Sequence, residues 1–581
     1  MLKEYKTILP YLKKYWYAYL LGLLFLIMTN AGQLMIPQVL KKSIDQIYSG
    51  SFQMSGILSN MFWIIFIAAF VMAGRFLWRF FIQGSSRKIE AALRVRLFDH
   101  LLLLGHDFYN THKTGDLMAR ATNDLNAVRM ATGMALIAFV DGVFMTLAIL
   151  IIIFTQNAKL AALTIIPLPI ITIIILYFGR MLGARFRSVQ ENFSNMSDHV
   201  QEALTGIRVL KAFNRENFSA EDFEKKNIGY KNANLSLIKI WGLFFPIIAF
   251  LSGISTLLLL LFGGQAVIAG TFTPGDFTAF LSYLGMLVWP MLGAGFTVNL
   301  IQRGGASLKR INEIYAYEPL VKNVEEPLLS VRSSELHVED LTYTYPGQER
   351  PVLENINFDL KEGEILGILG RTGSGKSSLL NLLTRQYDPP EGTIRLDDVD
   401  IEKYELNALR KYFGIVPQET FLFSTSIKEN ISFGIPDADE KKIQWAAELS
   451  TINHDIETFP NSWETEVGER GLTLSGGQKQ RVAISRALIL DPPILVFDDA
   501  LSAVDTETES KILKHLLQER LGKTSIVVSH RISTLQYADK IIVLDQGKIV
   551  ETGKPSELLK GDGFYADIAA LQNFTEEEGR I

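Results

Sequence analysis

The sequence predicts an α-helical polytopic membrane domain, with six transmembrane helices and long cytoplasmic extensions, followed by an α/β domain. Two observations predict this order. Apolar runs of about 18 residues or more recur through residues 1–310, and each is long enough to cross a hydrocarbon core as a helix. Residues 335–581 instead combine short apolar strands, amphipathic helices and polar turns, which is typical of a water-soluble α/β domain.

The composition excludes several classes of protein. The chain has 581 residues, of which 48% are hydrophobic and 20% are charged, and its net charge is −5. This small negative charge gives no indication of nucleic-acid binding, so no nucleic-acid partner is expected. The chain has no cysteine, which excludes disulfides, thiol catalysis and cysteine-bound metals or clusters.

The apolar runs define the first domain, which we place at residues 1–318. The predicted spans are 16–40, 57–82, 134–154, 160–178, 240–269 and 272–300. A linker at 319–335 and the α/β domain at 336–581 follow. The basic, amphipathic residues 1–16 contain no small-residue cleavage site, so they predict an interfacial helix and not a removable signal peptide.

Loop charges orient the predicted bundle. Residues 75–133 carry nine Lys or Arg and residues 180–239 carry ten, whereas 46–56 and 269–276 carry none. By the positive-inside rule, both termini, the two long loops and the α/β domain face the cytoplasm. The long loops have helical periodicity, and a continuous helix over residues 82–108 would extend roughly 39 Å at 1.5 Å per residue. The tips of these extensions are predicted near residues 114–117 and 206–212.

Asp141 lies inside the third predicted span. A carboxylate at that depth is a candidate functional group, because a charge in the membrane interior is costly. The alternative is a structural ion pair with Arg75 or Arg79 of the second span. The sequence leaves both interpretations open.

The segment "ILGILGRTGSGKSSLLNLL" (365–383) is an apolar strand, a glycine-rich turn and the start of a helix. It matches the P-loop pattern, in which backbone N–H groups surround phosphates, Lys376 reaches the outer phosphates and Ser377 binds magnesium. The predicted phosphate-binding residues are Gly370, Arg371, Thr372, Gly373, Ser374, Gly375, Lys376, Ser377 and Ser378.

Two further segments complete a recognisable set. The strand "ILVFDD" (494–499) ends in Asp498, which is expected to meet the magnesium ion opposite Ser377. The pentapeptide "LSGGQ", formed by Leu474, Ser475, Gly476, Gly477 and Gln478, opens a basic helix about twenty residues earlier. With these motifs, residues 336–581 resemble the nucleotide-binding domain of an ATP-binding-cassette (ABC) transporter, and the whole chain resembles an exporter half-transporter of the multidrug-resistance type.

The resemblance implies roles for several other residues. Tyr345 in "LTYTYP" would stack on adenine, and Gln418 in "IVPQET" would touch magnesium and sense the helical extensions. His530 in "VVSHR" would hold the γ-phosphate, and Asp505 in "LSAVD" would reach the other nucleotide domain. The segment "TEVGERG" (465–471) resembles the X-loop of exporters, which would touch the tip of an extension. The implied metal ligands are Ser377, Gln418 and Asp498, and the implied catalytic residues are Asp499, His530 and Gln418.

Position 499 departs from the family, in which a glutamate normally follows the magnesium-binding aspartate. Aspartate is shorter by about 1.5 Å, one C–C bond, so Asp499 is expected to be a poor base toward the attacking water. In this family each ATP lies between the P-loop of one domain and the signature of another, so the resemblance implies a dimer. The expected partner is a second half-transporter that supplies the glutamate, as in heterodimeric bacterial exporters with one degenerate site.

The resemblance therefore implies ATP-driven export of amphipathic or hydrophobic compounds from the cytoplasmic (inner) membrane, with ATP and Mg²⁺ as cofactors. A lipid flippase, a peptide exporter and an ATP-gated channel or regulator on the same frame remain alternatives. A soluble cassette ATPase of the DNA-repair or translation type conflicts with the six apolar spans.

Overall fold

The computed structural model describes residues 3–50, 54–468, 471 and 473–578, and it confirms the predicted fold class. The residues cluster into two compact units. One unit contains the residues up to Leu103 together with His112–Tyr317, and the other contains Leu104–Thr111 together with the residues from Glu318 onward. An eight-residue piece of the first half of the chain is therefore part of the α/β unit.

The first part of the chain is helical. Its helices are α1 (Leu9–Lys14), α2 (Trp16–Tyr48), α3 (Met54–Trp78), α4 (Gly84–Leu103), α5 (His106–Thr111), α6 (Thr114–Ala119), α7 (Leu125–Met130), α8 (Leu136–Gln156), α9 (Ala158–Ile165), α10 (Pro167–Thr205), α11 (Ile207–Ala212), α12 (Glu216–Leu258), α13 (Gly264–Ile268) and α14 (Pro274–Tyr315). A 3-10 turn at Glu4–Ile8 precedes α1, and π-helical turns lie at Arg79–Gln83, Arg120–Asp124, Ala131–Ala135 and Leu259–Gly263.

Within the described residues, six helices are long and apolar enough to cross a membrane. They run over Trp16–Tyr48, Met54–Leu103, Thr114–Gln156, Ala158–Thr205, Glu216–Ile268 and Pro274–Tyr315. The predicted spans lie within these helices except at residues 269, 272 and 273, which belong to the turn between the last two. Thr273 begins α14 with a capping box, in which its hydroxyl accepts from the N–H of Asp276 at 2.9 Å.

The helical extension that follows the second span is shorter than predicted. The expectation of a continuous helix over residues 82–108 was wrong, because α4 ends at Leu103 and α5 starts at His106. Gly105 lies at the break, where a residue with low helix propensity is expected. The extension after the fourth span likewise ends at Thr205, and Gly206 separates α10 from α11.

Asp141 forms a hydrogen bond with an uncharged side chain in the helical unit. Its Oδ1 accepts a hydrogen bond from Nδ2 of Asn30 at 2.8 Å. Arg75, one of the two expected ion-pair partners, donates instead to Oε1 of Gln33 at 3.3 Å. Among the described residues, the expected pair between Asp141 and Arg75 or Arg79 does not form, and a polar contact between α2 and α8 takes its place.

The α/β unit contains ten strands and ten helices in its described residues after 318. The strands are β1 (Leu336–Tyr343), β2 (Leu353–Leu360), β3 (Ile365–Gly370), β4 (Ile394–Leu396), β5 (Val399–Asp400), β6 (Phe413–Val416), β7 (Ile494–Asp498), β8 (Thr524–Val528), β9 (Lys540–Asp545) and β10 (Lys548–Gly553). The helices are α15 (Lys376–Leu383), α16 (Leu406–Tyr412), α17 (Ile427–Ile431), α18 (Glu440–Leu449), α19 (Asn453–Thr458), α20 (Gly476–Leu488), α21 (Thr506–Glu519), α22 (Ile532–Leu535), α23 (Pro555–Leu558) and α24 (Phe564–Glu578). Single 3-10 turns lie at Ile401–Lys403, Ser432–Gly434 and Ser462–Glu464.

In the part of the chain that the structure describes, these strands form two sheets. The larger has the order β10-β9-β3-β8-β7-β6, in which β9, β3, β8, β7 and β6 are parallel and β10 is an antiparallel edge. The smaller sheet has the antiparallel order β2-β1-β4-β5. The strands β3 and β7 are almost wholly buried apolar runs, as expected for parallel strands covered on both faces. Their carboxyl ends therefore meet at one edge of the larger sheet, where ligands bind in open α/β folds.

Candidate functional site

The glycine-rich turn between β3 and α15 has the backbone of a phosphate-binding loop. Gly373 and Gly375 adopt φ values of 80° and 101°, in the left-handed region that favours glycine. A Cβ on Gly370 would lie 2.3 Å from the carbonyl oxygen of Leu544, so this position admits only glycine without movement of β9. The turn leads directly into the N-terminus of α15, whose free N–H groups favour an anion.

Two polar side chains inside this loop fit a phosphate ligand. Lys376 is 8% exposed, and its Nζ donates to the carbonyl oxygens of Gly370 at 2.7 Å and Arg371 at 2.8 Å. Burial lowers the pKa of the Lys376 amine, while the charges of Asp498 and Asp499 oppose this change. The hydroxyl of Ser374 is buried and has no hydrogen-bond partner among the described residues, so a phosphate oxygen would satisfy it.

Asp498 stands at the end of β7, in register with Val528 of β8, and its carboxylate accepts a hydrogen bond from the Ser377 side chain. Burial raises the pKa of the Asp498 carboxyl and the charge of Asp499 acts in the same direction, although the Ser377 hydrogen bond opposes both. A carboxylate and a hydroxyl in contact form a suitable oxygen donor set for Mg²⁺. Gln418 follows β6 and is exposed.

The backbone of Asp499 is held on both sides of its Cα. Its N–H donates to the carbonyl oxygen of Val528 at 3.0 Å, and its own carbonyl oxygen accepts from the N–H and Oγ of Ser502 at 3.3 and 2.9 Å. Its φ is 48°, an uncommon value for a residue with a side chain. The Asp499 carboxylate is shorter than that of a glutamate. These contacts restrict any movement of the main chain that would bring it closer to the attacking water.

Tyr345 lies in an aromatic cluster beside the P-loop helix. Its hydroxyl donates to Oγ of Ser378 at 3.0 Å, and its ring centroid is 5.0 Å from that of Tyr387 in an edge-on arrangement. Tyr387 in turn contacts α5: the ring of His106 is 6.5 Å away, and Nδ2 of Asn110 is 3.4 Å from the Tyr387 hydroxyl. Through Tyr387, the aromatic loop and α5 share one contact network within the α/β unit.

The signature pentapeptide opens α20 as predicted. Ser475 is the N-cap, and a capping box joins it to Gln478, whose Nε2 also donates to Oδ1 of Asp455 at 2.8 Å. A Cβ on Gly477 would lie 3.0 Å from the carbonyl oxygen of Ala503, so the signature and the loop after β7 approach closely. Ser475 and Gly476 are exposed, and Leu474 is buried beneath them.

The remaining predicted site residues have different local contacts in the α/β unit. Asp505 is the N-cap of α21, and the backbone and side chain of Thr508 donate to its carboxylate and lower its pKa. His530 follows β8, and its carbonyl oxygen accepts from Nε2 of Gln572 at 2.7 Å. In the predicted X-loop, the N–H of Val467 donates to Thr425 at 2.9 Å, while residues 469 and 470 lie outside the described residues.

Three side chains that sequence reasoning missed connect the motifs. Gln480 accepts from the N–H of Ala503 at 2.9 Å and so joins α20 to the loop after β7. Arg531 donates to the carbonyl oxygens of Val504 at 3.3 Å and Ser502 at 3.2 Å, and it pairs with Glu509, which is 2% exposed. In the sequence, these roles are indicated only by the positions of Gln480 and Arg531, which lie close to "LSGGQ" and "SH".

Comparisons with known proteins identify the family. Residues 19–291 match the family model of the ABC transporter transmembrane region, and residues 353–502 match that of the ABC transporter. A probable multidrug resistance ABC transporter ATP-binding/permease protein, YheI of Bacillus subtilis, is 38% identical over 573 residues, which cover 98% of each chain. The chain belongs to the ABC transporter family.

Other relatives of this ABC transporter differ in their names. The multidrug resistance-like ATP-binding protein MdlA of Escherichia coli is 38% identical over 97% of this chain and 95% of that protein. An ATP-dependent lipid A-core flippase of Chromohalobacter salexigens is 32% identical over 99% and 98% of the two chains. The structure of a bacterial Atm1-family ABC exporter with ATP bound superposes with a TM-score of 0.79 and 27% identity, covering 95% of this chain and 98% of that one.

These matches confirm an exporter half-transporter, with one transmembrane region and one ATP-binding domain in a single multi-pass membrane chain. They support transport that is coupled to an ATPase.

Proposed function

We propose that this ABC exporter moves amphipathic or hydrophobic compounds out across the cytoplasmic membrane as one half of a heterodimer. The ATP bound at its own P-loop is hydrolysed slowly, and the second half-transporter supplies the catalytic glutamate. In this arrangement both termini and the ATP-binding domain face the cytoplasm. The single observation that carries the proposal is the carboxylate at position 499, which is short and has an anchored backbone.

The distance from the Asp499 carboxylate to the attacking water determines the rate of hydrolysis. A general base must lie within hydrogen-bond distance of the water from which it takes a proton, and a misplacement of 1 Å costs about a hundredfold in rate. Replacing glutamate by aspartate withdraws the carboxylate by about 1.5 Å. A shift of the main chain could compensate for this, but the bonds of Asp499 to Val528 and Ser502 resist it.

ATP binding at this same site depends on other side chains. Three features of the P-loop suit phosphates. They are the backbone turn at Gly373 and Gly375, the Ser374 hydroxyl that has no hydrogen-bond partner among the described residues, and the buried amine of Lys376. Asp498 and Ser377 would hold Mg²⁺, which neutralises charge on the phosphates when it is bound. Neither function requires a long carboxylate at position 499, so tight binding and slow turnover are compatible.

The signature supports a pair of unequal sites. Leu474–Gln478 has its full sequence and a well-capped helix start, with Ser475 and Gly476 exposed. It is therefore suited to complete the ATP site of another half-transporter. That second site, with a glutamate after its own magnesium-binding aspartate, would carry most of the hydrolysis.

The helical unit supports an apolar or amphipathic substrate. A cleft of about 550 Å³ lies among α8, α10 and α14, and it is lined by apolar residues such as Phe139, Leu147 and Met291, with few polar groups. The flippase relatives favour a second candidate, in which the transported amphiphile is a lipid. Uptake of a dye and of a labelled lipid into inside-out vesicles would distinguish the two, and a steady conductance without accumulation would instead indicate a channel.

The decisive experiment measures ATP binding and ATP hydrolysis of the purified chain, alone and co-expressed with its partner. We expect the chain alone to bind ATP but hydrolyse it slowly, and Asp499→Glu to raise its rate by about a hundredfold. Asp491→Glu is the matched control, since it makes the same change at the other end of β7, at a residue whose φ is also positive at 47°. Rapid hydrolysis by the unmodified chain alone, with no gain from Asp499→Glu, would contradict the proposal.

A further inference from the structure

Two arginines in the second long helix have no acidic partner among the described residues. Arg75 donates only to the neutral side chain of Gln33, at 3.3 Å, and both arginines are exposed. The guanidinium of Arg79 lies 5.3 Å from the ring centroid of Trp78. A guanidinium in an apolar helix costs free energy unless an anion pairs with it or water solvates it. We therefore expect this pair of arginines to bind a counter-ion.

The arginines share one groove between α2 and α3. The groove has a volume of about 580 Å³, and its other walls include Ile36, Val71 and Phe76. Apart from Gln33, the cationic groups therefore lie on an apolar surface. This combination suits a ligand with an anionic head and an apolar tail, and it suits neither a free anion nor an uncharged hydrocarbon.

The depth of the arginines matches that of a phospholipid headgroup. The apolar run ends at Ile82, after which Gln83 begins the polar extension. At 1.5 Å per residue, Arg79 lies roughly 5 Å and Arg75 roughly 10 Å inside that boundary, within the reach of long side chains that extend toward the interface. An arginine also binds phosphate oxygens through two parallel hydrogen bonds.

Aromatic residues lie on both sides of that boundary. Trp78 is adjacent to Arg79 inside it, and the ring of Tyr15, at the start of α2, lies 5.8 Å from the amines of both Lys14 and Lys88 outside it. Tryptophan and tyrosine with nearby lysines are typical of a membrane interface. A five-residue π-helical turn, Arg79–Gln83, begins at the second arginine, and such turns are frequent at functional sites.

We propose that the groove formed by α2 and α3 binds the phosphate of an anionic phospholipid through Arg75 and Arg79, with its acyl chains along Val71 and Phe76. The lipid would be a resident of the leaflet that borders the basic loops. This site is separate from the ATP site and from the cleft among α8, α10 and α14, and it does not depend on which compound is exported.

The test is a lipid titration of the purified full-length chain in detergent, followed by native mass spectrometry. Palmitoyl-oleoyl-phosphatidylglycerol is the anionic probe and palmitoyl-oleoyl-phosphatidylcholine is the zwitterionic control. We expect the anionic lipid to bind more tightly, and each arginine to contribute about fivefold to the difference, which corresponds to about 1 kcal/mol. Arg75→Gln with Arg79→Gln should therefore lower the affinity for phosphatidylglycerol by about 25-fold.

Two further variants separate the site from folding and from general charge. Arg75→Lys with Arg79→Lys keeps the charges but loses the paired hydrogen bonds, so it should lower the affinity for phosphatidylglycerol by less than the two glutamine substitutions do. Lys159→Gln removes an exposed charge in the first turn of α9 and should change nothing. Equal affinity for the two lipids, or an unchanged affinity in the glutamine variant, would overturn the proposal. No step requires ATP hydrolysis, so this result is independent of the role of Asp499.

Discussion

At the end of β7 two neighbouring aspartates experience different surroundings. Asp498 contacts Ser377 and is close enough to Lys376 and His530 for their charges to act on it, while the main chain of Asp499 is tied to β8 and to the following turn. Burial raises the pKa of Asp498, so its ionised form is the less stable one in the absence of a cation. Ionisation of Asp498 therefore costs folding free energy, and a bound cation would recover it.

The raised pKa of Asp498 leads to a prediction about how stability depends on pH. Because the pKa of Asp498 is higher in the folded protein than in the unfolded chain, its contribution to stability is full at low pH and is lost as the pH rises through the raised pKa. In magnesium-free buffer, Asp498→Asn should raise the melting temperature at pH 7, and the gain should shrink as the pH falls toward about 4, the ordinary value for aspartate. Asp562→Asn, in an exposed turn, is the control. A gain that does not vary with pH would contradict this assignment.

A second residue-scale prediction concerns α21. Glu509 is buried and receives hydrogen bonds from Arg531 and Thr534, whereas Glu507 on the same helix is exposed and pairs with Lys511 at 2.8 Å. Glu509→Ala removes the acceptor of Arg531 and Thr534 and should lower the free energy of unfolding by about 1–3 kcal/mol. Glu507→Ala should have little effect, because exposed pairs contribute little. Denaturant unfolding followed by tryptophan fluorescence measures both, and equal losses would show that the buried pair is not important.

The sequence could predict the residues whose spacing is itself the signal. Gly370, Lys376 and Ser377 are fixed within one turn, and Asp498 must follow a buried strand that pairs in parallel with β8. Arg531 and Glu509 could not be predicted in the same way. Their contact joins α21 to the segment after β8, 22 residues apart in the chain, and exists only after β7 and β8 have paired.

At the scale of elements, α5 is a helix of only six residues that packs with the α/β unit. Phe108 at its centre is 1% exposed, so the helix is docked by a buried aromatic side chain. Hydropathy and periodicity place the long helices well but miss α5, because six residues carry no periodic pattern and a continuous helix through Gly105 fitted the sequence equally well. The predicted tip at 114–117 instead falls in α6, where Asp116 pairs with Arg120 at 2.8 Å.

The contacts of Tyr387 lead to a prediction about coupling. Tyr387→Ala removes ring contacts to His106, Tyr343 and Tyr345, each of which contributes about 0.5–1.5 kcal/mol. We expect the stimulation of ATP hydrolysis by a transported compound to fall by about tenfold or more, with ATP affinity changed by less than about threefold.

Tyr387→Phe is the matched control, since it keeps the ring and loses only the contact with Asn110. It should retain most of the stimulation. If Tyr387→Ala leaves both stimulation and transport unchanged, the aromatic network does not link α5 to the nucleotide site.

At the scale of the whole molecule, the chain can be tested for orientation without background labelling, because it has no cysteine. Lys159→Cys places a thiol at an exposed position in the first turn of α9, and Glu349→Cys places one on the α/β unit. A membrane-impermeant maleimide should label intact cells at position 159 only, and at position 349 only after permeabilisation. The opposite pattern would reverse the orientation inferred from the basic loops.

The separation between Asn110 and Tyr387, 277 positions along the chain, has a consequence for biosynthesis. When α5 leaves the ribosome with Phe108, the rest of the compact unit to which it belongs has not been translated. At 5–20 residues per second, the wait lasts roughly 15–60 s, during which a chaperone or a protease can recognise the uncovered ring. Nascent chains that stall before residue 387 would present the same unprotected feature, so α5 is well placed to serve as a mark of incomplete synthesis.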